Sequence, residues 1–238
     1  MACSAPSSSS PSPGKGENCA IRLEGVSKSF GYRDVLRNID LEVPAGSCVA
    51  VYGQNGAGKS TLARIIATQW APTAGRAEIL GHELGAGNRQ IRRRMGMIAD
   101  QSFLRSELSL DENLAFFRSV YGVDGAARGD DLLDRFGLAR RRKDPVSTFS
   151  QGMVKRANLA RSLLHDPELW ILDEPFSGLD QEGQELLKNC IREFTAGGRT
   201  VLLVTHLREI GQELAGASIE IENGCISASA GLGGEGGS

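Results

Sequence analysis

The sequence predicts an α/β fold: a buried, largely parallel sheet with an inserted α-helical stretch. Three observations predict it. A glycine-rich loop, Gly53–Thr61, sits between the apolar run Cys48–Tyr52 and a helically spaced segment, Leu62–Gln69. Two more apolar runs, Leu169–Glu174 and Thr200–Thr205, suit strands covered on both faces. Between the loop and those runs, from about residue 102 to 165, the pattern turns helical.

Composition sets the bounds. The chain has 238 residues, 40% of them hydrophobic, enough for one sizeable core with an inserted lobe. The formal net charge is −2, which asks for neither nucleic acid nor an anionic membrane. Five scattered cysteines without a CxxC pair read as reduced thiols, not a disulfide scaffold or metal site. No apolar run approaches the roughly 18 residues of a membrane span. Any membrane role is therefore expected to come through a partner.

In chain order, residues 1–19 are Ser/Pro-rich with little to bury and are expected to be a disordered extension. Ile21–Val26 alternates apolar and polar residues like a half-exposed strand. Phe30–Tyr32 makes an aromatic turn into a second strand over Val35–Val43. Those aromatics could stack on a base or pack on the sheet. Arg76–Leu80 reads as a strand and Gly81–Asn88 as a loop. Gln90–Arg94 is a solvated helical turn, and Met95–Ala99 a strand ending near Gln101. Leu110–Tyr121 has helical spacing, and Asp130–Phe136 is a short helix stopped by Gly137. Arg140–Lys143 is taken as a solvated basic face. Ser150 is placed to cap a helix that runs to Leu164. Helices over Gln181–Phe194 and Leu207–Leu214 flank the last apolar run. A hairpin turns at Asn223–Gly224, and 229–238 is a Gly-rich tail.

The chemistry starts at the loop. Gly53, Asn55, Gly56 and Gly58 allow consecutive backbone N–H groups to turn toward a phosphate, where a helix N-terminus adds free N–H groups and its positive dipole end. Lys59 supplies a mobile positive charge for the β- and γ-phosphates. The Ser60 hydroxyl can ligate Mg²⁺, and Thr61 completes the motif. Asp173 ends an apolar strand, where a carboxylate can hold Mg²⁺. Glu174 follows on the opposite side of the strand by the period of two, placed to polarise a water attacking the γ-phosphate.

With these motifs in place, the chain resembles the ATP-binding subunits of ABC transporters over about residues 20–228. The match rests on Gly53–Thr61, on Gln101 at the entry to the helical subdomain, on Phe149–Met153 with Lys155–Arg156, on Leu169–Pro175, on Ser177–Asp180 and on His206 after the next strand. The resemblance implies a P-loop NTPase core of RecA-like type with an antiparallel β subdomain and an α-helical signature subdomain over about 102–165. It implies ATP and Mg²⁺ as cofactors, and two subunits that sandwich two ATP head to tail. In that arrangement Ser150 and Gly152 meet the γ-phosphate held by the partner's loop. Gln101 touches Mg²⁺ or the attacking water, His206 holds the γ-phosphate, Asp180 contacts the partner, and Phe30 stacks on adenine, with Tyr32 as fallback. A homodimer or paired cassette would drive integral membrane permease subunits from the cytoplasmic face of the inner membrane.

The signature departs from the family's usual L-S-G-G-Q. Here it is F-S-Q-G-M, with Gln151 and Met153 at the altered positions. The stretches from Thr148 and from Asp173 are most similar to the haem exporter ATP-binding subunit of cytochrome c maturation. Multidrug or polysaccharide exporter cassettes stand next. A soluble ATPase of the same family, acting in translation, repair or cluster assembly, is the alternative from another class.

Overall fold

A computed structural model describes residues 19–99 and 101–232. Most of the expected N-terminal extension, Asp100 and the tail beyond Leu232 lie outside the described residues.

Alternating apolar residues build the first sheet. β1 (Cys19–Phe30) pairs antiparallel with β2 (Arg33–Pro44) and, on its other edge, with β4 (Ala74–Ile79), which carries the two-residue β5 (His82–Glu83). Ile21, Leu23, Val26, Ile39, Leu41 and Val43 are buried. Cys19, expected in the extension, instead opens β1 opposite Pro44.

The second sheet has the order β10-β9-β3-β8-β7-β6. Its centre is parallel: β3 (Cys48–Gly53), β8 (Thr200–Val204), β7 (Leu169–Asp173) and β6 (Met95–Ile98) run together, as does β9 (Ala217–Glu222) beside β3. β10 (Cys225–Ala230) folds back antiparallel through Asn223 and Gly224, whose φ values of 49° and 79° suit a two-residue hairpin turn. Ser229 and Ala230, expected in the tail, extend this strand because they pair with Ile219 and Ser218.

The period of two sorts each central strand between two cores. Leu169, Ile171, Leu202 and Val204 face the core shared with the first sheet and α1 (Lys59–Ile66). Trp170, Leu172, Val201 and Leu203 face the other core. That second core is covered by α3 (Leu110–Tyr121), α4 (Ala127–Arg135), α5 (Gln151–Leu163) and α6 (Gln181–Ala196), with part of α7 (Arg208–Leu214). Trp170 buries its ring fully while its Nε1 donates to Ser162 Oγ at 2.9 Å, so the indole N–H is satisfied.

The helix α3 starts and stops at its caps. Ser109 and Glu112 form a reciprocal capping box on α3, and Gly122 ends it in the left-handed conformation. Gln90–Arg94 falls within and just after α2 (Asn88–Arg93), but its arginines are not all free in solvent. Arg92 donates to Thr68 Oγ1, and Arg94 makes two 2.6 Å bonds to the Glu168 carboxylate. The basic face expected at Arg140–Lys143 is likewise corrected. Arg142 joins Asp111 of α3 to Asp130 of α4, because the chain reversal after α4 brings the guanidinium between two carboxylates. Arg161, buried in α5, lies over the rings of Phe103 and Phe117 and donates to the Met97 carbonyl. It thereby ties the helical lobe to β6.

Candidate nucleotide site

The parallel strands β3, β8, β7 and β6 end on one edge of the sheet, the edge where open α/β sheets bind ligands. β3 runs into Gly53, β7 into Asp173 and Glu174, β8 into Thr205 and His206, and β6 toward Gln101. Loci more than a hundred residues apart in sequence thus become neighbours.

The loop after β3 is shaped by two glycines that no other residue could replace without strain. Gly53 has φ 147° and faces the Ile221 carbonyl, 2.3 Å from where a Cβ would stand. Gly58 has φ 115° and abuts Leu36 and the Val35 carbonyl. Gly58 is also the N-cap of α1. No side chain closes that first turn, and it holds no acidic residue, so no side chain of the helix's own start competes for its N–H groups and dipole end. Lys59 is buried, and its Nζ donates to the carbonyls of Gly53 (2.8 Å) and Gln54 (3.0 Å). A cavity of about 330 Å³ opens here. The loop residues Asn55, Gly56, Gly58, Lys59, Ser60 and Thr61 line it, with Glu174 and, from β2, Arg33 and Val35.

The carboxylates lie across the cavity. Asp173 is 2% exposed, and its Oδ1 accepts from Ser60 Oγ at 3.2 Å. Burial pushes its carboxyl above the ordinary range, against the Ser60 hydrogen bond that pulls it down. A buried carboxylate and a hydroxyl this close are hard oxygen donors, and the cost of burying the charge is what a divalent cation would relieve. The pair therefore fits Mg²⁺. Among the described residues no group of three or more His, Cys, Asp and Glu side chains could hold a metal by itself, so the remaining donors would come from substrate and water.

Strand alternation does not set the place of Glu174. Its φ is 46°, a left-handed turn that ends the strand, so its side chain joins Ser60 at the cavity rather than pointing to the opposite face. The Glu174 Oε2 lies 2.9 Å from His206 Nδ1. The structure thus brings together Gly53–Thr61, Asp173, Glu174 and His206.

Other candidates stand apart from the cavity. Gln101 is exposed beyond β6. Phe30 packs edge-on against Trp70 at 4.9 Å with Lys28 Nζ over its ring, and Tyr32 is wholly exposed; neither lines the cavity. Ser150 caps α5, accepting from the Met153 amide at 3.3 Å, and is exposed. Gly152 packs against the Gly178 carbonyl, where a Cβ would come to 3.2 Å. Asp180 caps α6 through the Gly183 amide at 2.9 Å. Gln151 is exposed and Met153 half-buried against the helical core, so the altered signature residues lie on and just under the surface.

Two contacts at the site were missed in the sequence. Arg33 lines the cavity, and the signal available was a cation directly after the aromatic turn. Lys155 donates to the Glu174 carbonyl at 3.0 Å, a contact between remote segments with no local sequence signal.

Comparison with known proteins agrees with this geometry. The ABC transporter family model matches residues 36–177. The daunorubicin resistance ATP-binding protein DrrA3 of Streptomyces coeruleorubidus is 37% identical over 88% of this chain and 67% of its own length. The Nod factor export ATP-binding protein I of Rhizobium sp. (strain N33) is 35% identical over 86% of this chain and 68% of its own. A solved ATP-binding subunit of an ABC transporter superposes with a TM-score of 0.84 at 31% identity, covering 90% of each chain. A dimeric bacterial ABC transporter cassette gives 0.82 at 25% identity, covering 90% of this chain and 99% of that one. The phosphate-binding loop, the paired acids and the fold that joins them thus have one common source: this chain belongs to the ABC transporter family, as an ATP-binding subunit with ATPase function.

Proposed function

We propose that the chain hydrolyses ATP within a pair of cassettes and thereby drives an exporter's membrane permease. One observation carries the reading. The phosphate loop and Glu174 line one cavity, with Asp173 joined to it through Ser60 and His206 through Glu174, while the exposed N-terminus of α5 at Ser150 and Gly152 lies outside it. A second copy, or a paired cassette, would bring its own Ser150 and Gly152 to the γ-phosphate, and Asp180 would meet the partner along the seam.

In this reading Lys59 and the N–H groups of the loop hold the β- and γ-phosphates. Glu174 accepts a proton from the water whose oxygen attacks the γ-phosphorus. The bond from that phosphorus to the bridging oxygen of ADP breaks. His206 hydrogen-bonds the transferring phosphoryl oxygens and, through Glu174 Oε2, fixes the carboxylate's direction. Bound Mg²⁺, held by Ser60 and Asp173 with Gln101 as a further candidate, would neutralise charge on the phosphate oxygens. Phe30 remains the candidate for stacking on adenine, because it stands in the turn that leads into Arg33 and Val35 at the cavity.

The two relatives are named for drug resistance and Nod factor export, which supports an exporter of the multidrug or polysaccharide kind over haem export. Among the described residues no helix is long and apolar enough to cross a membrane, consistent with peripheral attachment at the cytoplasmic face through a permease.

Glu174→Gln is expected to lower turnover by about 10²–10⁴-fold and to trap an ATP-bound dimer visible by sedimentation. Persistent turnover would remove Glu174 as base. Co-purification with a polytopic membrane protein separates a transporter subunit from the soluble-ATPase alternative, which would stay in the supernatant alone.

A further inference from the structure

We propose that Lys155 is a positioning residue for Glu174, holding the backbone turn that aims the carboxylate; the inference rests on the reading of Glu174 as base. Glu174 occupies a conformation its own chemistry disfavours. A non-glycine residue at φ 46° is strained, and the next residue is Pro175, whose ring steers its predecessor toward extended backbone. Such a conformation persists only where the surroundings over-determine it.

Three contacts do so here, two from β8 and the segment after it and one from α5. The Glu174 amide donates to the Val204 carbonyl of β8 at 2.9 Å. The carboxylate meets His206 after β8 at 2.9 Å. The carbonyl accepts from Lys155 Nζ of α5 at 3.0 Å. The first two come from the sheet and its edge. Only the third comes from the helical lobe, and it is charge-assisted. Lys155 stands five residues after the Ser150 cap, so its ammonium connects the helix whose N-terminus faces the partner to the backbone of the proposed base. Gly152 against the Gly178 carbonyl packs the start of the same helix onto the loop that follows Glu174. A displacement of α5 would therefore be felt at the Glu174 peptide before it reached the phosphate loop. By this route, closure of the helical lobe on a partner's ATP would set the carboxylate's aim.

The test uses the full chain. Lys155→Met keeps the alkyl stem and removes the donor, and Lys155→Arg keeps a charged donor. The Met variant should lose about ten- to a hundredfold in kcat, with KM for ATP within about twofold and an unchanged melting midpoint. The Arg variant should recover most of the loss. Placed in the Glu174→Gln background, Lys155→Met should leave the ATP-trapped dimer intact, because Lys155 acts on the carboxylate and not on closure. If the Met variant melts early, Lys155→Leu, which also lacks a donor, is read in the same way. A kcat within twofold of the parent would overturn the proposal, as would loss of the trapped dimer in the double variant. Turnover by Glu174→Gln alone would instead overturn the reading of Glu174 as base.

Discussion

Asp173, the proposed Mg²⁺ ligand, is buried at a cost to folding. Its carboxyl is pushed up from 3.8, first by burial, with the Ser60 hydroxyl opposing. A raised acid favours its protonated form in the folded chain. Its contribution to stability is thus complete below 3.8 and is lost as pH rises through the folded value. At neutral pH burial of this carboxyl therefore opposes folding in nucleotide-free protein. Asp173→Asn should therefore raise the melting midpoint at pH 7, by about 2–4 °C for each kcal/mol relieved, while abolishing ATP turnover; scanning calorimetry and a phosphate-release assay check the two halves. His165 has the opposite sign. Burial lowers its imidazole from 6.5 to about 4, and it stacks on Tyr121 at 3.8 Å. The neutral ring is favoured when folded, so its stabilisation is present above 6.5 and is lost as pH falls toward about 4. Between those limits the parent should lose about 2–3 kcal/mol that His165→Leu does not, read from urea unfolding at pH 7 and pH 4.5. Neither shift could be read in the sequence, because burial of a side chain is a property of the finished fold.

Among the elements, α5 carries its N-terminal cap at Ser150, the residue proposed to meet a partner's ATP. Ser150→Ala should cost about 1 kcal/mol of stability, read as a lower urea midpoint. It should also weaken ATP-driven association of the Glu174→Gln protein, while leaving ATP binding by the monomer unchanged. Arg142 has a purely architectural part. By joining Asp111 to Asp130 it fastens α3 to α4, and Arg142→Met should lower the unfolding free energy measured in urea by about 1 kcal/mol, less at high salt. Elements with strong local signals were the legible ones. The expected helix over Leu110–Tyr121 coincides with α3 because Ser109, Glu112 and Gly122 mark both ends. The strand at Leu169 was evident from its unbroken apolar run. Arg142 was misread because its partners lie 31 and 12 residues away, and four neighbouring cations look like a solvated face in sequence. The orientation of Glu174 was misread because alternation holds only while the strand lasts, and its left-handed turn ends it. The motif residues at the phosphate loop were legible, yet the Lys155 contact was not, since it depends on how α5 is packed.

On the scale of the whole molecule, the proposed half-sites predict complementation. Lys59→Ala disables the loop and Ser150→Ala weakens the facing helix, so each variant alone should hydrolyse slowly. Mixed one to one, they form pairs with one site intact, and turnover should exceed that of either alone. A mixture no faster than its components would argue against a shared site. The division of the interior by the central sheet has a separate consequence. Leu202 and Val204 belong to one core and Val201 and Leu203 to the other, so the two interiors touch through strand backbone and not through interleaved side chains. Opening of the helical side need not expose the face packed against the first sheet. Native-state hydrogen exchange should then divide into two classes. Amides of α3 and α4 should exchange through a lower-energy partial opening, and those of β3 and β8 only through global unfolding. The same wall would let substitutions accumulate on the helical side, where the proposed reading places a partner, with little effect on the face that builds the phosphate loop.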